Sequence, residues 1–170
     1  MGKIFNYDSK FFAGMTKVSD TIIINILFVI CSIPIVTIGA SITALYSVSM
    51  KITRDEDIYA AKEFIKQFKQ NFKQSTIIWI ILLVIGLFIG LDFYLCSLMS
   101  DNTISMIFKF IFTIVSVVLA FILIYVFPLT ARFENSIKNT LTNSIFMSIQ
   151  HLPYTLVMSV LAFAPIVSFI

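Results

Sequence analysis

Very few residues of this chain could do chemistry. The one histidine, His151, is alone, and a metal site would need carboxylate or thiolate partners beside it. Cys31 and Cys96 stand in apolar segments without a CxxC motif, so we expect them to be packing residues. Asp92 is the only acid embedded in apolar sequence, and it is expected to form an interfacial ion pair with Lys109. We therefore predict no enzyme: no catalytic, metal or cofactor-binding residues and no cofactor.

Small residues at helical spacing indicate close packing between helices rather than chemistry. Gly86 and Gly90 form a GxxxG motif in an apolar segment, and Ala40 and Ala44 form a similar small-residue face. Such residues let the backbones of two membrane helices approach each other. We predict that these four residues pack helices within the protein or form an interface with a partner, and the sequence leaves both alternatives open.

The composition of the chain indicates a membrane protein. Its 170 residues are 59% hydrophobic and 12% charged, whereas soluble domains are about 45–50% apolar and about 25% charged. Too few charges are present to cover a water-facing surface, which argues against a soluble enzyme, a disordered chain and a nucleic-acid binder. The predicted fold is all-α: a single integral membrane domain over 1–170, built as a polytopic transmembrane helical bundle.

Charge-free runs divide this bundle into about four spans. The run 21–50 is longer than one straight helix needs to cross a bilayer. Pro34 and Gly39 are predicted to break it, because proline removes a backbone donor and glycine weakens a helix. The predicted segments are an interfacial N-terminus at 1–20, a broken first span at 21–50, a basic cytoplasmic connection at 51–73, and further spans at 74–100, 104–131 and 152–170.

The connection 51–73 carries half of the chain's 12 basic residues. Apolar residues recur there at spacings of three and four, which predicts an amphipathic cytoplasmic helix over about 58–72. Such a helix could lie on an anionic inner leaflet or contact a cytoplasmic partner, and a helix packed under the bundle is the alternative. Its polar face carries Lys62, Lys66, Lys69 and Lys73.

The distribution of lysine and arginine predicts which side of the membrane each connection faces. With 51–73 in the cytoplasm, a single crossing by the run 21–50 divides the basic residues eight inside to four outside. A run that bends back between Pro34 and Gly39 divides them eleven to one. The second arrangement fits the rule better, but an interfacial N-terminal helix would weaken that argument, and both arrangements stay open.

A string of motifs between Asp20 and Trp79 resembles the YesL family of bacterial integral membrane proteins, which carry a domain of unknown function. The resemblance implies about five spans and a basic C-terminal tail. This sequence stops at Ile170 after a predicted fourth span, so we expect a C-terminal truncation, with a departure from the family as the alternative. The string consists of Asp20, Asn25, Ser32-Ile-Pro-Ile-Val-Thr-Ile-Gly-Ala40, Thr43-Ala-Leu-Tyr46, Arg54-Asp-Glu56, Phe68-Lys-Gln-Asn-Phe-Lys-Gln74 and Trp79.

The resemblance also implies a functional context. Members tend to be encoded beside sugar ABC importers and polysaccharide-degrading enzymes of Gram-positive bacteria, and no catalytic or ligand residues are established for them. It implies a non-enzymatic accessory component of carbohydrate (oligosaccharide) ABC uptake in the bacterial plasma membrane. The expected partners are the lipid bilayer, importer transmembrane subunits and a homo-oligomer, with no nucleic acid. The alternative is a small-solute transporter in its own right, with a site at the broken first helix.

Overall fold

The computed structural model describes residues 5–98, 103–133, 135–150 and 154. These residues contain helices and no strand, which confirms the all-α prediction, and four helices are long and apolar enough to cross a membrane. His151 and, apart from Tyr154, the predicted span 152–170 lie outside the described residues. The helices are α1 (Phe5–Cys31), α2 (Ile38–Thr53), α3 (Ala60–Leu98), α4 (Thr103–Arg132) and α5 (Ile137–Gln150), with a short 3-10 helix at Ile35–Thr37.

The first apolar run folds back on itself. The helix breaks between Cys31 and Ile38, as predicted from Pro34, and α1 and α2 then pack against each other. The Lys17 ammonium on α1 lies 2.5 Å from the carboxylate of Asp55, just beyond the end of α2. These two residues therefore lie at the same end of a helical hairpin. The run supplies two candidate spans, where one broken span was predicted, and Gly39 lies inside α2 rather than in the break.

The turn of the hairpin is apolar, and hydrogen bonds within the turn occupy some of its backbone carbonyl groups. The Thr37 hydroxyl lies 2.6 Å from the carbonyl oxygen of Cys31 and 2.8 Å from that of Pro34. The Thr37 N–H donates to the same Pro34 carbonyl at 3.0 Å. The side chains of Ile33 and Ile35 point outward and are exposed. Irregular backbone needs internal partners of this kind where water is scarce, so the turn is suited to an apolar environment.

The chain divides into two compact units, Met1–Thr76 and Ile77–Ile170. The first has a core at the end of the hairpin where Lys17 meets Asp55. Its buried members come from α1, α2 and the start of α3: Ile24, Ala44, Val48, Ile52, Ala60 and Phe64. A buried contact between the hydroxyls of Thr43 and Ser75, at 2.9 Å, also joins α2 to α3. The hairpin and the first four turns of α3 therefore pack as one unit.

In the second unit, the remainder of α3 runs antiparallel to α4. The ring of Trp79 lies 6.2 Å from that of Phe127, and the ring of Phe93 lies 6.2 Å from that of Phe112. The start of this part of α3 therefore lies beside the end of α4. Helix α5 packs on α4 and buries one stripe of small polar side chains. That stripe consists of Thr140, Ser144 and Ser148.

Candidate interaction surfaces

Four lysines form an exposed stripe along the start of α3, which we call the lysine ridge: Lys62, Lys66, Lys69 and Lys73. Their spacings of four, three and four residues bring them onto one side of the helix. Phe64 lies on the opposite side and is fully buried in the core of the first unit. This part of α3 is amphipathic as predicted, because its apolar side packs on the hairpin and its basic side faces outward.

The face of α3 that carries the lysine ridge becomes apolar after Lys73. The exposed residues that continue it include Ile77, Ile80, Val84 and Leu87. Residues 77–98 extend about 33 Å as a helix, which matches a hydrocarbon core of about 30 Å. The change from lysine to isoleucine after Lys73 therefore separates a polar part of α3, residues 60–73, from its apolar part.

Helix α3 runs without a break from the lysine ridge into the span. The amphipathic helix and the second span, predicted as separate segments, are one helix of 39 residues, Ala60–Leu98. The 14 residues 60–73 extend about 20 Å along the helix.

The carboxylate of Glu63 ties the end of α2 to the start of α3. The Lys51 ammonium donates to Glu63 Oε1 at 2.5 Å, and the Gln67 amide donates to the same oxygen at 2.9 Å. Lys66 lies 3.8 Å from the other carboxylate oxygen. The hydrogen bond from Lys51 is the main cause that holds the pKa of Glu63 below its ordinary value of 4.5, and the bond from Gln67 adds to it.

This lowered pKa predicts a pH-dependent contribution to stability. A carboxyl group with a depressed pKa stabilises the folded state above about pH 4.5, and that contribution is lost as the pH falls through the lowered value. We expect Glu63→Gln to cost about 1–3 kcal/mol of the free energy of unfolding at pH 7, and less in acid. Thermal unfolding in detergent at pH 7 and pH 4 measures this, with the exposed Glu56→Gln as the control. An equal loss at both pH values would contradict the assignment.

The outer face of α1 is the side of that helix turned away from α2. It is a shallow apolar groove of about 420 Å³, and Val29 on it is 63% exposed. The Asn25 amide interrupts this apolar surface and donates one hydrogen bond to the carbonyl oxygen of Thr21, at 2.7 Å. The groove is lined by Thr21, Ile22, Asn25, Ile26, Val29 and Ile30.

The sequence predictions did not select the outer face of α1. They used Asn25 only as one member of a family motif. The signal that could have found this face is the position of an amide side chain inside an otherwise apolar helix, where polar groups need a partner.

The four predicted small residues have different environments. Ala40 and Ala44 are completely buried, so they pack helices within this chain. At Gly86 an added Cβ would lie 3.8 Å from a methyl carbon of Leu119, which is ordinary contact. Gly90 is exposed, and an added Cβ there would meet no atom within 4 Å in the part of the chain that the structure describes. Of the four, Gly90 leaves most room for another helix.

An acidic cleft of about 270 Å³ lies at the polar end of the hairpin. The Lys17–Asp55 ion pair closes part of it. No group of three histidine, cysteine or acidic side chains in the described ranges could hold a metal ion. The cleft is lined by Thr16, Lys17, Asp20, Ile52, Asp55, Glu56, Asp57 and Ile58.

Part of the chain matches a family model. No curated protein and no solved structure matches this chain. The matched stretch contains the outer face of α1, all of α2 and the lysine ridge. Residues 21–93 of this membrane-spanning helical protein are therefore similar to the family described as "Protein of unknown function, DUF624".

Proposed function

We propose that this chain is a non-enzymatic, multi-pass membrane protein that acts by binding another membrane protein. The observation that carries the proposal is Asn25 on the exposed outer face of α1. A polar side chain is costly in the hydrocarbon layer, and it is commonly satisfied by a polar group on a neighbouring helix. The surrounding groove is the shallow apolar surface on which such a helix can pack.

We further propose that the protein belongs with the YesL family, and that its partner is the transmembrane part of a carbohydrate ABC importer in a bacterial plasma membrane. The motif string between Asp20 and Trp79 supports this proposal. The four candidate spans, together with the span predicted at 152–170, make the five that the resemblance implies. The lysine ridge and the returning hairpin favour a cytoplasmic position for 51–73 under the positive-inside rule.

The transporter alternative receives less support from the hairpin turn. A binding site at a broken helix uses backbone groups that the helix no longer satisfies. The carbonyl oxygens of Cys31 and Pro34 already face the Thr37 hydroxyl. These two carbonyl groups are therefore occupied within the turn, and contact with a partner is the function that we favour.

The test is purification of the tagged chain in mild detergent from a bacterial host grown on a complex polysaccharide. Asn25→Leu removes the amide from the outer face of α1, and Ile23→Leu is the control at an exposed position on the same helix. We expect importer subunits to co-purify with the wild type and with the control. Their recovery should fall about three- to twentyfold with Asn25→Leu, which corresponds to one interhelical polar contact.

Two results would overturn parts of this proposal. Equal recovery of the importer with both variants would exclude the outer face of α1 as the contact. A homo-oligomer without importer subunits would exclude the importer as the partner, and its sensitivity to Asn25→Leu would then show whether this face binds a second copy of the chain.

A further inference from the structure

The part of α3 that carries the lysine ridge packs beside α2. The Lys51 ammonium lies 2.5 Å from the Glu63 carboxylate, and the hydroxyls of Thr43 and Ser75 lie 2.9 Å apart. These two contacts make the start of α3 antiparallel to α2. The lysine ridge therefore extends from the polar end of the hairpin toward the middle of α2.

This placement brings two of the lysines alongside a candidate membrane span. The stretch Ile35–Thr53, which includes α2, is long and apolar enough to cross a bilayer. Ser75 contacts Thr43 near the middle of this stretch, and Lys73 precedes Ser75 by about 3 Å along the helix axis. Lys69 lies about 6 Å further toward the polar end of the hairpin. Lys69 and Lys73 are therefore the members of the lysine ridge that lie furthest from that polar end.

The charges of these two lysines are not compensated within the first unit. Lys69 and Lys73 are exposed and form no ion pair with any residue that the structure describes. The Glu63 carboxylate is occupied by Lys51 and lies 3.8 Å from Lys66. The far end of the lysine ridge is therefore a basic surface without an acid beside it. The other acids of this unit whose side chains the structure describes line the cleft at the polar end of the hairpin: Asp20, Asp55, Glu56 and Asp57.

Apolar side chains border the lysine ridge along one edge. Ile65 and Phe72 stand four residues before and three residues after Lys69, so the three share one side of α3. Ile65 is 45% exposed and Phe72 is 40% exposed. A phospholipid carries its charge in the headgroup layer at the membrane surface, whereas Lys73 lies near the middle of a candidate span. The mixture of apolar and basic side chains at this depth favours a helix of another protein.

We propose that Lys69 and Lys73 bind acidic side chains on a membrane helix of a partner protein, with Ile65 and Phe72 as apolar contacts. Charged residues within membrane spans are rare, and they commonly pair with a residue of opposite charge. Two lysines four residues apart match two carboxylates at the same spacing on a facing helix. The inference rests on the proposed function, because the occupant is another membrane protein, and it adds the chemical character of the partner's surface.

A membrane-permeant carbodiimide tests this contact, because it joins an amine to a carboxylate only where the two groups touch. Bacterial membranes that contain the tagged full chain are treated with the reagent, and the cross-linked peptides are identified by mass spectrometry. The contact between Lys51 and Glu63 provides an internal positive control, since both residues belong to one chain. We expect Lys69 and Lys73 to be joined to aspartate or glutamate residues in an apolar segment of another protein.

Matched double variants then measure how much the pair contributes to binding. Lys69→Gln/Lys73→Gln should lower the recovery of the cross-linked partner in mild detergent about tenfold, because truncating one side of a desolvated charge pair strongly weakens an interface. Lys62→Gln/Lys66→Gln removes the same charge from the same helix face and should change recovery less than about twofold. Lys69→Arg/Lys73→Arg keeps the charges, so recovery should persist while the cross-link is lost with the amines. All four lysines are exposed, so these variants leave the core intact.

Three outcomes would overturn the proposal. A product from Lys51 and Glu63, with none from Lys69 or Lys73, would show that no carboxylate touches this pair. A cross-link to an acid of this same sequence would assign the pair to a contact within the chain or with a second copy. Equal losses in the two glutamine variants would show a diffuse attraction to the whole lysine ridge.

The proposed function can fail separately from this inference. An acidic membrane partner that is not an importer subunit would exclude the importer and keep the site at Lys69 and Lys73. Importer subunits whose recovery depends on Asn25, without a cross-link to this pair, would keep the proposed function and exclude the site.

Discussion

Phe64→Ala is expected to lower the free energy of unfolding by about 3–5 kcal/mol. Phe64 is 0% exposed and is the largest fully buried side chain in the described part of the chain. It belongs to the buried cluster that also contains Ile24, Ala44 and Val48. Truncating this side chain removes its packing contacts and leaves a cavity in the core of the first unit. Unfolding in detergent, followed by the loss of helical signal, measures the change.

The matched control for Phe64 is Phe72→Ala on the same helix. Phe72 is 40% exposed, and its ring has an edge contact with Phe68 at 5.4 Å. We expect its loss to cost about 1 kcal/mol. Similar losses at both positions would mean that the junction of the hairpin with α3 contributes little to the stability of the fold.

Ala44→Leu is expected to destabilise the protein by about 1–3 kcal/mol, because it adds volume where none is free. Ala44 is 0% exposed and belongs to the cluster that joins α1, α2 and α3. The larger side chain would push the hairpin helices apart. The thermal midpoint in detergent measures this effect. Ala61→Leu makes the same substitution at an exposed position of α3 and should change stability by less than about 0.5 kcal/mol. A neutral Ala44→Leu would show that the two helices are not closely packed.

The break in the first run could be predicted from the sequence, but its direction could not. Pro34 explains the end of α1, since its ring removes a helical hydrogen bond. The length of the run and the positions of the lysines allowed either a single crossing or a return. The contact that distinguishes them, between Lys17 and Asp55, joins residues 38 positions apart, and no local pattern reveals such a contact. Asp55 also has a left-handed φ of 57°, which lets the chain turn between α2 and α3.

The continuity of α3 is a second feature that could not be predicted from the composition. The change from charged to apolar residues after Lys73 suggested a boundary between two elements. Helical periodicity is unbroken there, and no proline or glycine occurs between Ala60 and Gly86, so the backbone has no reason to stop. The composition of the helix changes after Lys73, but its secondary structure does not. The spacing of the ridge lysines, by contrast, was predictable, because residues three and four apart share one helix face.

The small-residue motifs show why an interface could not be assigned from sequence alone. Ala40 and Ala44 have the same helical spacing as Gly86 and Gly90, yet the first pair is buried and Gly90 is exposed. Small size permits close approach, but it does not specify which helix approaches. That depends on the folded position of α2 within the hairpin and of Gly90 on α3.

The charge-free turn of the hairpin has a consequence for how the protein enters the bilayer during synthesis. The candidate spans of α1 and α2 have mean hydropathies of 1.6 and 1.5, against 2.6 and 2.9 for α3 and α4. Each is a weak insertion signal by itself. The turn between them has no charge to translocate, and the hydroxyls of Ser41 and Thr43 donate to the backbone carbonyls of Thr37 and Gly39. The two helices can therefore partition into the membrane together, as a preformed pair.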